Sequence, residues 1–138
     1  MIETRYAIEP IGVICSELAS REAAPCQGYE GAPNAWLEVN SMFAQGLEGV
    51  AVGDDIILIT WFHKANRNIL KLHPHWGTNR PLTGVFATRS PDRPNPIGLH
   101  RVTVLEISRK RLRVGPLEAI DGMPVVDIKP ALPQSVDS

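Results

Sequence analysis

Apolar and polar residues fall into short runs along this chain, and most of the runs carry the two-residue period of a strand. Ala7–Cys15 is β-branched and punctuated by Pro10 and Gly12, and Ala35–Val39 is a short alternating run. Asp55–His63 is continuously apolar between its ends and predicts a central strand. Leu82–Thr88, Gly98–Ser108, Arg111–Leu117 and Met123–Ile128 follow at short spacing. Ser108-Arg-Lys-Arg111 predicts a hairpin connection that lacks the favoured glycine, and Asp121-Gly122 predicts a turn. Helix is expected in two places, Ser41–Leu47 with Ser41 as N-cap, and Asn66–Leu72. Many short strands with few helices predict a mainly β fold, a barrel or a sandwich.

Two proline-rich segments interrupt the pattern. Arg89–Pro96 holds three prolines in eight residues, and Pro130-Ala-Leu-Pro133 opens the tail. Proline fixes φ and removes a backbone donor, so neither segment belongs inside a sheet. Rigid irregular chain beside strands is where polar side chains are held for binding.

A chain of 138 residues buries about 68% of its unfolded surface on folding, enough for one core and one domain over residues 1–138. With 43% hydrophobic and 21% charged residues, intrinsic disorder is excluded. The longest apolar run is far short of a membrane span. The start, Met-Ile-Glu-Thr-Arg-Tyr, carries no signal pattern, and two cysteines, Cys15 and Cys26, do not make a disulfide scaffold. A cytoplasmic protein without membrane association is expected.

The net charge of −1 hides an asymmetry. Residues 1–55 carry nine acids and two bases, whereas residues 56–91 carry no acid and five bases, Lys64, Arg67, Lys71, Arg80 and Arg89. An acid-free stretch of this length makes a positive potential that attracts anions. The chain as a whole is not basic enough to imply nucleic acid.

Several familiar sites are missing. No two glycines are separated by a single residue, so no G-x-G-x-x-G exists, and neither a Walker-type G-K-[ST] nor a C-x-x-C is present. His63, His73 and His75 with a cysteine match no standard metal-ligand spacing, and no metal is expected. The run Gly84-Val-Phe-Ala-Thr-Arg-Ser-Pro-Asp-Arg-Pro-Asn-Pro-Ile-Gly-Leu99 is different. Arg89 and Arg93 on a proline-stiffened turn are either donors for a carboxylate or phosphate, or partners of Asp92 or Asp127 that hold the turn. Asn95, between two prolines, offers an amide.

This run resembles the signature of the TrmO (YaeB, TsaA-like) family of tRNA methyltransferases. Ile11-Gly-Val-Ile14 is similar to the family's opening strand, Pro25-Cys-Gln-Gly28 to its Pro-Arg-Gln motif and Trp61-Phe-His63 to the end of its central strand. Asp121-Gly-Met-Pro-Val-Val-Asp-Ile-Lys-Pro130 is similar to its closing motif, and Leu132-Pro with Asp137-Ser138 to its tail. The resemblance implies a small single-sheeted β-barrel with one or two short helices that binds S-adenosyl-L-methionine and acts as a homodimer. It implies methylation of N6 of threonylcarbamoyl-adenosine next to the tRNA anticodon. Carried over by motif, cofactor contacts fall on Gln27, Gly28, His63, Lys64, Arg89, Leu99, Glu118, Ala119, Ile120 and Asp121. Arg93, Asn95, Asp127 and Lys129 fall near the substrate or the dimer seam. Cys26 stands where the family usually has Arg, and Asp92 where Phe is commoner. The chain ends after the closing motif, so the additional C-terminal region of some tRNA-acting members is not expected.

These implications translate into chemistry. The cofactor carboxylate needs a cation, Arg89 or Lys64, and its adenine an apolar slot at Leu99 and Glu118–Asp121. Asp121 is the oxygen for a sulfonium. The N6 proton falls to His63 or Asp127, and the pattern leaves the catalytic group open. For tRNA, the acid-free middle, Arg109-Lys-Arg-Leu-Arg113 and Trp76 are the expected contacts. A methyltransferase for a small molecule or another RNA, or a cofactor sensor without catalysis, remains open on the same residues.

Overall fold

The computed structural model describes residues 4–16, 34–74 and 81–133. Six strands close a barrel: β1 (Gly12–Cys15), β2 (Ala35–Val39), β3 (Asp55–Trp61), β6 (Ile97–Ser108), β7 (Arg111–Gly115) and β8 (Pro124–Pro130). Their order around the wall is β1-β2-β7-β6-β3-β8, every neighbour antiparallel. A separate two-stranded ribbon pairs β4 (Lys71–Leu72) with β5 (Thr83–Gly84). Closure pairs every barrel strand on both sides, apart from the first half of β6, which extends past the end of β7.

The interior follows the period of two. Ile14, Leu37, Val39, Ile56, Leu58, Val102, Val104, Leu112, Val114 and Val125 point inward and are buried. Along β3 the apolar run divides: Ile56, Leu58 and Thr60 face the core, while Ile57, Ile59 and Trp61 are half-buried on the outer wall. Register shifts between Ile59 and Thr60 and between Val104 and Glu106 bend the long strands around the barrel.

Four expected elements differ. The opening strand shortens to Gly12–Cys15, with exposed irregular chain before it. Pro10 lacks an N–H, and Ile11 N, bonded to Val125 O at 2.8 Å, begins the pairing. Leu82–Thr88 is a two-residue strand followed by a 3-10 turn, Val85–Ala87. Of its apolar side chains Val85 is buried, while Leu82 and Phe86 lie in solvent. Asn66–Leu72 is not helical: Asn66 Oδ1 accepts from Asn68 N at 2.9 Å, and the segment ends in β4. Ser41–Leu47 is helical but 3-10, with Asn40 rather than Ser41 as N-cap. Gly46 within so short a segment weakens α-helix. Phe43 and Leu47 of that segment pack against the core at one end of the barrel.

Alternating strand directions sort the connections. Those between β2 and β3 and between β6 and β7 leave from the end that Phe43 covers. The ends where β1 gives way to β2, β3 to β6 and β7 to β8 lie at the opposite end. The hairpin at Ser108–Arg111 forms as expected, with Arg109 in place of glycine at φ 59°.

Candidate functional site

That second end carries most of the residues the sequence singled out. Gln27 and Gly28 belong to the connection 16–34, and they lie outside the described residues. His63 and Lys64 follow the end of β3 directly and are exposed. Arg89, Arg93 and Asn95 sit on the proline-rich turn that leads into β6, and Glu118–Asp121 lie between β7 and β8.

Side chains bind these segments into one unit. Asp92 Oδ1 accepts from Asn66 N at 2.9 Å. Arg67 Nε donates to Pro94 O at 2.7 Å, and its terminal nitrogen donates to Asn95 Oδ1 at 3.3 Å. The same guanidinium lies 5.0 Å from the centre of the Trp61 ring. The loop after β3 and the turn before β6 are thus clasped together. Arg67 was no more than one cation of the acid-free stretch by sequence, because its partners are backbone and amide atoms about 27 residues away.

The two arginines of the turn play different parts. Arg93 donates to Val85 O, and to Thr88 O at 2.8 Å, so backbone carbonyls hold it rather than Asp92 or Asp127. Arg89 is exposed and has no hydrogen bond or ion pair among the described residues, and the same holds for His63 and Lys64. Replacing Arg93 with methionine is expected to remove about 1.5 kcal/mol of stability, about 5 °C in a thermal melt. An unchanged melt would return that guanidinium to the groups available to a ligand.

The loop 116–123 closes the barrel. β7 stops at Gly115, opposite Thr103, so the first half of β6 extends beyond it. Leu117, Ala119 and Ile120 cover this overhang and are buried. Asp121 is exposed, and its Oδ1 accepts from Ser16 N at 2.9 Å. It borders a cleft of about 530 Å³ together with Cys15, Trp36 and Arg113. A second cleft of about 720 Å³ lies on the outer wall against Trp61, Arg67, Asn95 and Ile97.

Leu99 faces outward on β6 and is 54% exposed. It pairs with Ile59, which pairs in turn with Asp127 on β8, so the three form one cross-strand row. Lys129 pairs with Ile57, one step further from the loops, and its Nζ is 3.4 Å from Asp127 Oδ2. With both side chains about half exposed, Asp127→Asn is expected to change stability by less than about 0.5 kcal/mol in denaturant titration. The turn of the basic hairpin, Arg109–Arg111, is at the far end of the barrel, Arg113 runs back toward Asp121, and three of the four cations are engaged. Lys110 meets Ser41 Oγ at 3.0 Å, Arg111 stacks 4.6 Å from the Trp36 ring, and Arg113 pairs with Glu106 at 3.2 Å. Trp76 lies outside the described residues.

A closed six-stranded antiparallel barrel with exposed, unengaged cations and a carboxylate-bearing loop at one end defines the class, a small antiparallel β-barrel. The chain belongs to one family of that class: residues 13–138 match the tRNA-methyltransferase O N-terminal domain. An S-adenosyl-L-methionine-binding protein of Archaeoglobus fulgidus is 41% identical over 127 residues, covering 92% of this chain and 90% of the relative. A probable S-adenosyl-L-methionine-binding protein of Methanothermobacter thermautotrophicus is 38% identical over 130 residues, covering 94% and 93%. Among solved structures, a TrmO crystal structure matches with a TM-score of 0.78 at 31% identity, covering 100% of this chain and 60% of that one. TrmO from Pseudomonas aeruginosa matches with a TM-score of 0.76 at 31% identity, covering 98% and 60%. The chain therefore spans about 60% of the length of these TrmO chains.

Proposed function

We propose that this domain binds S-adenosyl-L-methionine at the loop-bearing end of the barrel and transfers its methyl group to N6 of threonylcarbamoyl-adenosine in tRNA, in the cytoplasm and as a homodimer. The observation that carries the reading is Arg89: an exposed guanidinium on a rigid turn, without a partner among the described residues. A cation so presented fits the carboxylate of an amino-acid-bearing nucleoside. The donor set also suits that ligand, with Lys64 as a second cation, Asp121 as an oxygen and Leu99 as an apolar surface.

When bound, S-adenosyl-L-methionine supplies a methyl group on a good leaving group, so no protein nucleophile is required. The chain's task is to hold both reactants with the reacting atoms about 3–3.5 Å apart and in line. Arg89 grips the carboxylate, and the clasp of Arg67 on Pro94 and Asn95 keeps that turn from shifting. His63, exposed and without a hydrogen bond among the described residues, is the acceptor for the N6 proton, with Asp127, in half-exposed contact with Lys129, the alternative. Leu99 lies on the outer wall beside half-buried Ile57 and Ile59, so a second copy of the chain would cover a ligand resting there.

Purified protein incubated with methyl-labelled cofactor and tRNA bearing threonylcarbamoyl-adenosine tests the proposal. Label is expected in that nucleoside by mass spectrometry. Label that stays on the donor despite tight binding would replace an enzyme with a sensor, and label in a different acceptor would reassign the substrate. Sedimentation that shows a monomer at micromolar concentration would remove the shared site.

A further inference from the structure

Among the described residues, Thr60 and His100 are the polar or charged side chains buried in the barrel, 0% and 3% exposed. They form a connected path to the loop end. Thr60 Oγ1 lies 2.7 Å from His100 Nε2, and His100 Nδ1 lies 2.5 Å from Glu118 Oε1. A carboxylate accepts, so Nδ1 donates; a neutral ring then leaves Nε2 to accept from the Thr60 hydroxyl. A Cβ on Gly98 would come within 2.6 Å of Thr60 Oγ1, so glycine at that position leaves room for the hydroxyl. The Phe62 ring lies against the imidazole, with centroids 5.9 Å apart.

An apolar residue at position 100 would fill the interior without the cost of desolvating an imidazole and a hydroxyl. What His100 adds is a fixed donor beneath the loop 116–123. It stands on the overhanging half of β6, where the loop and not β7 is its cover. Leu117, Ala119 and Ile120 anchor the loop through apolar burial. Glu118, between them, turns its carboxylate to the imidazole, with the side chain still 15% exposed at the loop end. His100 occupies one carboxylate oxygen, and the other has no partner among the described residues.

We infer that His100 and Thr60 are positioning residues for S-adenosyl-L-methionine, holding the Glu118 carboxylate and the 118–121 loop in the conformation that receives the ligand. The inference rests on the proposed cofactor reading of this end of the barrel. A loop ordered before binding does not pay its ordering entropy at the moment of binding, so loss of the path weakens affinity without removing a direct contact.

Two substitutions at one position test it. In His100→Asn the amide nitrogen stands close to Nδ1 and keeps the donor to Glu118. In His100→Gln the amide reaches the Nε2 position and that donor is lost. Calorimetry with S-adenosyl-L-homocysteine is expected to show His100→Asn within about threefold of the parent and His100→Gln weakened about tenfold or more. Amide exchange of residues 118–121 without ligand is expected to follow the same order. Both variants are expected to lose similar thermal stability, so melting alone does not separate them. Equal loss of affinity in the two variants, or no loss in either, would overturn the inference while leaving the cofactor reading intact. If the parent protein binds no nucleoside, both fall together. Thr60→Val and Thr60→Ser repeat the comparison with little change in volume. Serine is expected to retain parental affinity and valine to lose about threefold, like His100→Asn, which also breaks the contact at Nε2; equal affinities of serine and valine would likewise overturn the assignment.

Discussion

Replacing Arg89 with alanine is expected to weaken S-adenosyl-L-methionine binding about 100-fold, or about 2.7 kcal/mol, with the melting temperature within about 2 °C of the parent. The two halves of that expectation have separate causes. The guanidinium is exposed and makes no hydrogen bond or ion pair among the described residues, so folding does not depend on it. A paired guanidinium–carboxylate contact provides two charge-assisted hydrogen bonds in a fixed plane, and truncation removes both. Arg89→Lys keeps the charge without the fork and is expected to recover about tenfold of the loss. Raising salt is expected to weaken the parent more than the alanine variant, because an exposed ion pair is screened. Calorimetry on the three proteins reads all of this. Parental affinity in Arg89→Ala would move the ligand carboxylate elsewhere, with Lys64 the next cation on the same clasped unit.

The contrast with Arg93 shows where sequence reasoning stopped. Both arginines were legible as donors on a stiff turn, and both remained open between ligand and scaffold. The choice depends on carbonyls of Val85 and Thr88 that turn toward Arg93 once residues 85–87 form a 3-10 turn. Leu82-Thr-Gly-Val-Phe86 has the composition of a strand, so the sequence alone does not predict that turn. The barrel strands were legible because burial alternates along them with the same period as the sequence. Ile56, Leu58 and Thr60 on β3 illustrate this. The segment from Asn66, held by the distant side chain of Asp92, carries no local period, and local propensity there points to helix where the structure has none. His100 had a readable signal, as a polar residue on the inward face of a strand that continues with Val102 and Val104. Its meaning required Thr60 and Glu118, which only the closed barrel brings together.

Gly12→Ala is expected to cost about 3 kcal/mol, close to 10 °C in a thermal melt, although it adds a single methyl group. A Cβ at residue 12 would sit 2.4 Å from Glu38 O and 3.1 Å from Val39 Cα. Both obstacles are backbone, so no rotamer change relieves them. β1 would have to withdraw by about 1 Å, the gap to ordinary contact near 3.4 Å. It has little freedom to do so. Four residues of β1 pair with β2, Gly12 and Val13 also pair with β8, and Asn40 N bonds to Ile11 O at 2.8 Å just before the strand. Withdrawal from β2 opens the seam that closes the barrel. Affinity should fall as a secondary effect, because Ile14 bonds Met123 O and Gly122 N, at 3.0 and 2.8 Å, and so carries the loop on which Asp121 stands. Gly46→Ala is the matched control: an added Cβ there meets nothing within 4 Å, and alanine is the better helix former. It is expected to be neutral or slightly stabilising. If the two substitutions shift the melt equally, the tight approach of β1 to β2 does not govern stability, and the seam is softer than its geometry implies.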